Sequence, residues 1–232
     1  MNVVIPMAGA GSRFVAAGYS IPKPFIPIKG RSMIEHVLDN LEVPGAKYYL
    51  LCRLEHLAHL QNTNLPYRSD VAFIPVQRPT EGAACTVLHA ETFIDSDEPL
   101  LIANSDQYVR YDKEAWLRFL NESEAGIMTF PSTESKWSYA REENGRVVEV
   151  AEKRPISNWA TVGVYSFRRG SDWVRGANRM IQADKRVRGE FYVCPVFNEL
   201  TEELFVRTFP VTEMFGIGTP EDLQRHYDQV AA

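Results

Sequence analysis

Pro6-Met7-Ala8-Gly9-Ala10-Gly11-Ser12-Arg13-Phe14 directly follows the apolar run Val3-Val4-Ile5 and precedes a second motif, Pro22-Lys23-Pro24-Phe25. The apolar run predicts a short buried strand that leads into a glycine-rich turn. Because its two glycines lack a Cβ, the turn lets a ligand approach the main chain closely, and its N–H groups can bind phosphate oxygens. The arginine of the turn and the lysine of the second motif add positive charge. The stretch therefore predicts a polyphosphate site at the end of a strand.

Two commoner phosphate-binding loops are excluded by the same residues. A dinucleotide-binding turn requires a third glycine at the place where this chain has Phe14. A P-loop requires Gly-Lys-Ser or Gly-Lys-Thr, and neither run occurs in the sequence. An ordinary strand-to-helix turn would need neither Arg13 nor Lys23, so their presence favours a functional loop.

The first half of the chain alternates strand and helix patterns. Apolar runs typical of strands lie at 3–6, 48–52, 71–76, 100–103 and 126–130, and helical patterns lie at 34–41, 54–61, 83–92 and 113–122. This alternation predicts a mostly parallel sheet flanked by helices, a Rossmann-like α/β fold. Ligands on such sheets bind at the carboxyl ends of strands, where the glycine-rich turn and Asn104-Ser105-Asp106 both lie.

The second half predicts an antiparallel lobe, with strands at 138–141, 146–151 and 161–167 and with Asn144-Gly145 as a hairpin turn. Helical patterns follow at 172–183 and 195–203, then a strand at 204–209 and a last helix from Glu221. The sequence contains no internal repeat, low-complexity tract or linker. We therefore expect residues 1–232 to form a single domain, with the lobe placed over the sheet.

Composition argues against several classes of function. The 232 residues are 45% hydrophobic, without an apolar run long enough to span a bilayer, and the N-terminus lacks a signal-peptide pattern. A net charge of −5 argues against nucleic acid as the main partner, and we interpret the basic run 185–188 as a solvated helix end. Cys52, Cys85 and Cys194 lack metal-type spacing, which is typical of reduced thiols in a cytoplasmic protein.

The glycine-rich turn followed by Pro-Lys-Pro resembles the signature of the sugar-phosphate nucleotidyltransferases, also called sugar-nucleotide pyrophosphorylases. The resemblance extends along nearly the whole chain. Its opening, with Ile-Pro-Met-Ala-Gly and Pro-Lys-Pro-Phe-Ile, is similar to members from capsule and other surface-polysaccharide pathways. The resemblance implies a nucleotidyltransferase fold related to the glycosyltransferase-A type, with a nucleoside triphosphate as substrate. That subgroup also includes enzymes whose acceptor is not a sugar.

By this resemblance, Arg13 and Lys23 are catalytic residues that stabilise the triphosphate and the leaving pyrophosphate. The segment that begins at Gln77 resembles the part of the family that reads the base, and Gly82 permits close backbone approach at a helix start. The nucleotide-binding residues that the resemblance predicts are Ala8, Gly9, Ala10, Gly11, Ser12, Arg13, Lys23, Gln77, Glu81, Gly82 and Asn104.

Asp106 is the predicted metal ligand and the third catalytic residue. Its carboxylate follows the strand at 100–103, where a hard oxygen ligand can hold Mg²⁺ while phosphates fill the other positions. An aspartate after a strand can also cap a turn, but the nearby glycine-rich turn favours the metal role. His56 and His59 have the spacing of one helix face without a third ligand, so we interpret them as surface residues.

Glu152 and Lys153 resemble the acceptor-site pair of the family. This likeness implies that Lys153 holds the acceptor phosphate and that Glu152 binds a hydroxyl or an amine. The run from Thr161 to Gly163 resembles the strand that floors the acceptor pocket. The further acceptor contacts that we predict are Tyr139, Gly163 and Asn198.

One departure from the family concerns the C-terminal part. Many members carry Asp-x-Gly-Thr, whose aspartate is a second metal ligand, and this chain has Gly216 at that place. Either one metal suffices, or another carboxylate such as Asp222 or Glu190 substitutes. The run from Thr219 to Asp222 also matches a helix start with proline in the first turn, which is the interpretation that we prefer for Asp222.

These observations predict a cytoplasmic enzyme that joins a nucleoside triphosphate to a phosphorylated small-molecule acceptor, a sugar 1-phosphate foremost, and releases pyrophosphate with the help of Mg²⁺. A cytidylyltransferase acting on a phospho-amino acid or phosphocholine keeps the same chemistry, and Gly216 makes it a serious alternative. A glycosyltransferase that uses a nucleotide-sugar and a non-catalytic nucleotide-binding module are alternatives from other classes. The base, the acceptor and the oligomeric state stay open, with a homodimer among the allowed assemblies.

Overall fold

The computed structural model describes residues 1–230. The strands are β1 (Asn2–Pro6), β2 (Pro27–Ile28), β3 (Arg31–Ser32), β4 (Lys47–Arg53), β5 (Val71–Val76), β6 (Leu100–Ala103), β7 (Gln107–Arg110), β8 (Ala125–Pro131), β9 (Ser138–Glu143), β10 (Arg146–Glu152), β11 (Trp159–Phe167), β12 (Val206–Pro210) and β13 (Glu213–Gly216). The α-helices are α1 (Ser12–Ala16), α2 (Met33–Asn40), α3 (Ala83–Leu88), α4 (Glu91–Ile94), α5 (Lys113–Glu122), α6 (Gly170–Gln182) and α7 (Pro220–His226). The 3₁₀ segments of this range are Lys23–Phe25, Leu54–Asn62, Leu65–Tyr67 and Cys194–Glu199.

Nine strands form one sheet, whose continuous order is β10-β9-β11-β6-β1-β4-β5, while β8 pairs with β11 and β12 pairs with β8. Within residues 1–230, β10 and β11 are the strands of this sheet that run against the others. The sheet is therefore mostly parallel, as the sequence predicted. Strands β6, β1, β4 and β5 end at the same edge, which brings together the segments that follow them.

The central strand β1 is buried on both faces. Val4 packs with Ile102 into the core cluster that includes side chains of α3 and α6. Val3 and Ile5 point to the other face and join the core cluster that includes side chains of α2 and α5. The helices therefore cover the sheet on both sides, which explains why the opening of the chain is continuously apolar rather than alternating.

The second half adds the antiparallel lobe. Strands β9 and β10 form a hairpin, and its turn residues Asn144 and Gly145 have φ values of 53° and 74°, as an Asn-Gly hairpin turn requires. Strand β11 pairs with β6, β8 and β9, so the lobe shares the main sheet. Cys52, Cys85 and Cys194 are free thiols. No helix within residues 1–230 has the length and apolar character needed to cross a membrane.

Several elements differ from the sequence prediction. The pattern at 54–61 forms a 3₁₀ helix, the pattern at 83–92 is divided into α3 and α4, and the pattern at 195–203 shortens to a 3₁₀ segment. The sequence did not predict α1 or the antiparallel pair formed by β7 and β13. These missed elements are four or five residues long, which is too short for a hydrophobic period to be recognised.

Candidate active site

An open cleft runs along the carboxyl ends of the parallel strands. Its loop compartment, about 310 Å³, is lined by the glycine-rich turn, Lys23, Arg53 and the start of α3. Its lobe compartment, about 540 Å³, is lined by residues of the antiparallel lobe together with Asn104 and Asp106. A joining space of about 240 Å³ contains Lys23 and Asp106. The segments that follow β1 and β6 therefore meet in this cleft.

The glycine-rich turn forms one wall of the loop compartment through Ala8, Gly9, Ala10 and Gly11. Gly11 caps α1 in the left-handed conformation, with φ 61°, and a Cβ here would lie 3.3 Å from the Lys23 Cβ. A larger residue would therefore be strained and would press on the Lys23 side chain. Ser12 is exposed at the first position of α1 and lines neither compartment.

Arg13 is exposed just after the turn and lines the lobe compartment rather than the loop compartment. Phe14, at the place of the third glycine, is buried and packs edge-on against Tyr19 with ring centroids 5.2 Å apart. This packing anchors α1 beside the cleft. The Arg13 guanidinium can therefore contact a group bound between the two compartments.

Lys23 forms the central ion pair of the cleft. Its Nζ donates to Asp106 Oδ2 at 2.8 Å, and both side chains are partly buried. Lys23 begins a 3₁₀ segment whose Phe25 ring lies between His56, edge-on at 5.9 Å, and His59, stacked at 5.8 Å. The interpretation of the histidines as surface residues was wrong, because His56 is buried and this burial lowers its pKa. The two rings instead position the motif that carries Lys23.

The surroundings of Asp106 fit a magnesium ion held by one protein carboxylate. Gly218 packs so closely that a Cβ at this position would lie 2.5 Å from Asp106 Oδ2, so the missing side chain keeps this space clear. In the part of the chain that the structure describes, no three His, Cys, Asp or Glu side chains cluster to hold a metal by themselves. A single aspartate suits Mg²⁺, which usually keeps several waters and takes other ligands from substrate phosphates.

Asn104 and Gly163 lie together on the lobe side of the cleft. The Asn104 N–H donates to the Gly163 carbonyl at 2.9 Å, and a Cβ on Gly163 would collide with Asn104 Nδ2. Gly163 also has φ 83°, a conformation that favours glycine. Both residues line the lobe compartment, so this glycine provides room for the asparagine side chain.

The segment expected to read the base enters the cleft only in part. Gly82 lines the loop compartment and caps α3 with φ 139°, and a Cβ there would collide with the Phe191 carbonyl oxygen. Gln77 and Glu81 do not line these three spaces, and their contact with the nucleotide stays a prediction. Gln77 leaves the end of the edge strand β5 as an exposed residue, and the Glu81 carboxylate pairs with Arg186 instead.

Glu152 and Lys153 lie at the end of β10, on the wall of the lobe compartment. The Ser138 hydroxyl donates to the Glu152 carboxylate, but burial is the larger effect and raises the pKa of Glu152. Lys153 has φ 55°, a strained backbone for a residue with a side chain, and its N–H donates to the Trp137 carbonyl at 2.9 Å. Its ammonium donates to the Tyr192 hydroxyl. The strained backbone of Lys153 thus places its ammonium in the wall of the cleft.

Two predicted acceptor contacts, Tyr139 and Asn198, do not line these three spaces, and their contact with an acceptor stays a prediction. Tyr139 is buried in β9, and its hydroxyl donates to the Glu134 carbonyl at 2.6 Å. Asn198 is exposed, and its side-chain amide pairs with both backbone groups of Val150 at 2.9 Å each. Tyr139 therefore fixes the loop that borders the lobe compartment, and Asn198 fixes strand β10.

Gly216 lies in the lobe compartment beside an aromatic ring. A Cβ at this position would lie 3.2 Å from Trp137 Cη2, so the tryptophan ring would crowd an aspartate side chain here. The structure gives Asp222 a role other than that of the missing aspartate. Its N–H donates to Thr219 Oγ1 at 3.1 Å, which makes it part of the N-terminal cap of α7, as the sequence predicted.

Several cationic or polar residues in the cleft, Lys136 among them, were not assigned from the sequence. Arg53 and Thr80 line the loop compartment, and Arg188 lines the lobe compartment. Arg188 belongs to the basic run that we interpreted as solvated, and Lys185 and Arg186 of that run do form ion pairs away from the cleft wall. Arg188 differs because its φ of 51° redirects the chain. That backbone conformation left no signal in the sequence.

Residues 2–186 match the family described as Nucleotidyl transferase. The chain belongs to this family. Within it, the bifunctional protein GlmU of Methanococcus aeolicus is 24% identical over 232 residues, which cover 96% of this chain and 53% of that protein. The UTP–glucose-1-phosphate uridylyltransferase AglF of Haloferax volcanii is 25% identical, with 96% of this chain and 93% of that protein covered. The chain thus spans about half the length of its GlmU relative.

Solved structures of this nucleotidyltransferase family share the fold. A nucleoside-diphosphate-sugar pyrophosphorylase from Vibrio cholerae superposes with a TM-score of 0.82 at 24% identity, with 98% of this chain and 100% of that chain covered. The inositol-1-phosphate CTP transferase from T. maritima superposes with a TM-score of 0.76 at 15% identity, with 99% and 94% covered. At these identities the likeness establishes the same α/β architecture and leaves substrates to be argued from the cleft.

Proposed function

We propose that the protein transfers a nucleotidyl group from a nucleoside triphosphate to the phosphate of a small acceptor, a sugar 1-phosphate foremost, and releases pyrophosphate. The observation that carries this proposal is the Lys23–Asp106 pair at the junction of two compartments. One compartment is walled by a glycine-rich turn and the other by Lys153 and Arg188. A triphosphate and a phosphate can therefore approach the same pair from opposite sides.

The reaction needs little covalent help from the protein. An oxygen of the acceptor phosphate attacks the α-phosphorus, a new P–O–P bond forms, and the bond from the α-phosphorus to the β-phosphate oxygen breaks as pyrophosphate leaves. Arg13, Lys23 and the N–H groups of the turn would stabilise the charge that moves onto pyrophosphate. Lys153 and Arg188 would orient the acceptor phosphate. Mg²⁺ held by Asp106 would supply further charge neutralisation at the phosphates.

The relatives support the same reaction class. The uridylyltransferase AglF acts, by its name, on glucose 1-phosphate, and the Vibrio cholerae structure is named as a nucleoside-diphosphate-sugar pyrophosphorylase. We further propose that residues 1–232 form one catalytic unit in the cytoplasm. This unit would act in the synthesis of a capsule or other surface polysaccharide. A homodimer is compatible with this proposal.

A second acceptor class is favoured by one observation. Trp137 crowds the space beside Gly216 where a second acidic metal ligand would lie. The lobe compartment consequently presents an aromatic edge at that place, which suits an acceptor that differs from a sugar 1-phosphate. A phospho-amino acid or phosphocholine would be attacked by the same chemistry, and the cleft residues that hold its phosphate would be the same.

A substrate panel tests the proposal. Purified protein with Mg²⁺ and each of ATP, GTP, CTP, UTP and dTTP is mixed with sugar 1-phosphates or with non-sugar phosphates, and pyrophosphate release is measured. Release that requires both substrates supports the proposal, and the acceptor that supports it separates the two classes. Turnover of a nucleotide-sugar without pyrophosphate would instead indicate a glycosyltransferase. Tight nucleotide binding without turnover of any acceptor would indicate a binding module.

A further inference from the structure

Arg53 is the last residue of β4 and lines the loop compartment. Its guanidinium pairs with Glu55 at 2.7 Å while about a third of the side chain (34%) stays exposed. Its backbone N–H donates to Nδ1 of the buried His56 at 3.4 Å. The start of the Arg53 side chain is therefore fixed, and its guanidinium has donors to spare for a ligand.

The order of the strands places Arg53 away from the expected position of the nucleotide's phosphates. Asp106 follows β6, the glycine-rich turn follows β1, and Arg53 ends β4 on the far side of β1 from β6. Neighbouring strands lie about 4.8 Å apart, so Arg53 is about two strand spacings from β6, the strand that precedes Asp106. Arg13 also lies on the lobe side of the turn. A triphosphate held between Arg13 and Asp106 consequently leaves its base at the β4 end of the loop compartment.

Glu190 lines the same compartment and is exposed within it. The backbone next to it is tied to the start of α3, because the Phe191 N–H donates to the Glu81 carbonyl at 2.8 Å and the Phe191 carbonyl accepts from the Ala84 N–H at 3.0 Å. A carboxylate and a guanidinium therefore line one compartment, while the amide of Gln77 lies outside it. Besides Lys23, the charged side chains among the described residues that line this compartment are the Arg53 guanidinium, a fork of donors, and the Glu190 carboxylate, an acceptor.

We propose that Arg53 and Glu190 read the base of the nucleotide. The base would carry an exocyclic amine and an oxo group that lies beside a ring nitrogen acceptor. This inference rests on the proposed function. The Arg53 fork would donate to the two adjacent acceptors, and the Glu190 carboxylate would accept from the amine. Cytosine and guanine have this combination of groups. Adenine lacks the oxo group, and uracil and thymine lack the amine, so the site selects against ATP, UTP and dTTP.

Calorimetric titration of the full chain with Mg²⁺ and each of the five nucleoside triphosphates tests this assignment. We expect CTP or GTP to bind at least about tenfold more tightly than ATP, UTP and dTTP. Arg53→Met, Arg53→Lys and Glu190→Ala should each weaken binding of the preferred nucleotide about tenfold and leave tripolyphosphate affinity unchanged. Arg31→Met is the matched control, because Arg31 pairs with Asp39 at 2.6 Å outside the cleft; it should bind all ligands like the wild type.

Three results would overturn the assignment, and each is distinct. Preferred binding of ATP, UTP or dTTP by the wild type would contradict the predicted base chemistry. Equal loss of all five nucleotides and of tripolyphosphate in Arg53→Met, with recovery in Arg53→Lys, would show a phosphate contact instead. Failure of the wild type to bind any triphosphate would remove the proposed function itself, and the base assignment with it.

Discussion

The loop compartment and the lobe compartment are built in different ways. One wall of the first is the backbone of one continuous turn, whose shape depends on glycine at particular positions. The second is walled by side chains from several segments far apart in the sequence, two of which, Lys153 and Arg188, have φ values of 55° and 51°. A backbone wall recognises what all triphosphates share, whereas a side-chain wall can change with the acceptor. We therefore expect the turn to hold the phosphates and the lobe compartment to select the acceptor.

The largest expected effect is at Asp106, which lines the lobe compartment and the joining space. Asp106→Asn keeps the size of the side chain but removes the charge that would hold the metal, so we expect turnover to fall at least about 100-fold. Pyrophosphate release is the measurement. Asp222→Asn is the control in the lobe compartment, because its backbone caps α7, and it should change turnover by less than about threefold. Near-normal turnover in a folded Asp106→Asn protein would remove Asp106 from the mechanism.

The next effect breaks the backbone wall. Gly82→Ala adds a Cβ that collides with the Phe191 carbonyl oxygen, at a φ of 139° that side chains rarely adopt. We expect a loss of about 2 kcal/mol or more in the free energy of unfolding, measured by urea denaturation. Gly9→Ala is the control, since a Cβ there has no neighbour within 4 Å, and it should cost less than about 0.5 kcal/mol. Equal stability of the two variants would contradict the close docking of Gly82.

A smaller effect tests the side-chain wall. Arg188→Ala removes a cation from the lobe compartment, so the KM for the phosphorylated acceptor should rise about tenfold while nucleotide affinity is unchanged. Lys185→Ala is the control from the same basic run, because its ammonium pairs with Glu199 at 2.7 Å outside the cleft. An equal rise of the KM in both variants would contradict the assignment of the acceptor phosphate to the lobe compartment.

The smallest effect concerns the pH dependence of stability. Burial raises the pKa of Glu152 above its ordinary value of 4.5. The unfolded chain therefore loses this proton first as pH rises, and the folded protein loses stability from about pH 4.5 until the raised pKa is passed. Glu152→Gln cannot lose a proton and should lack this part of the decline. Parallel thermal-midpoint curves for the two proteins between pH 4 and pH 8 would contradict the prediction.

The sequence predicted the loop compartment better than the lobe compartment for a physical reason. Strand β1 and its turn are adjacent in sequence, so one apolar run and two glycines indicate both. The Asn-Gly hairpin was predicted because its conformation depends on those two residues alone. The convergence of the turn with the segment that carries Asp106 was also predicted, because both follow parallel strands that end at one edge.

The lobe compartment depends on contacts that no local pattern records. Tyr139 looked like a cleft residue but is buried, because the pairing of β9 with β10 and β11 turns it into the core. Arg188 looked like a solvated residue but lines the cleft, because of a left-handed backbone conformation. Trp137 had no signal at all, since its importance comes from a glycine 79 positions later in the sequence. Tertiary packing decides each of these positions.

The 2.8 Å contact between Lys23 and Asp106 has a consequence for the order in which the site is assembled. A magnesium ion that arrived alone would have to compete with the Lys23 ammonium for Asp106 Oδ2. A magnesium ion that arrives on a triphosphate brings anionic oxygens, to which the displaced lysine can turn at once. We therefore expect metal and nucleotide to enter as one complex, so that the protein itself sets the sequence of loading.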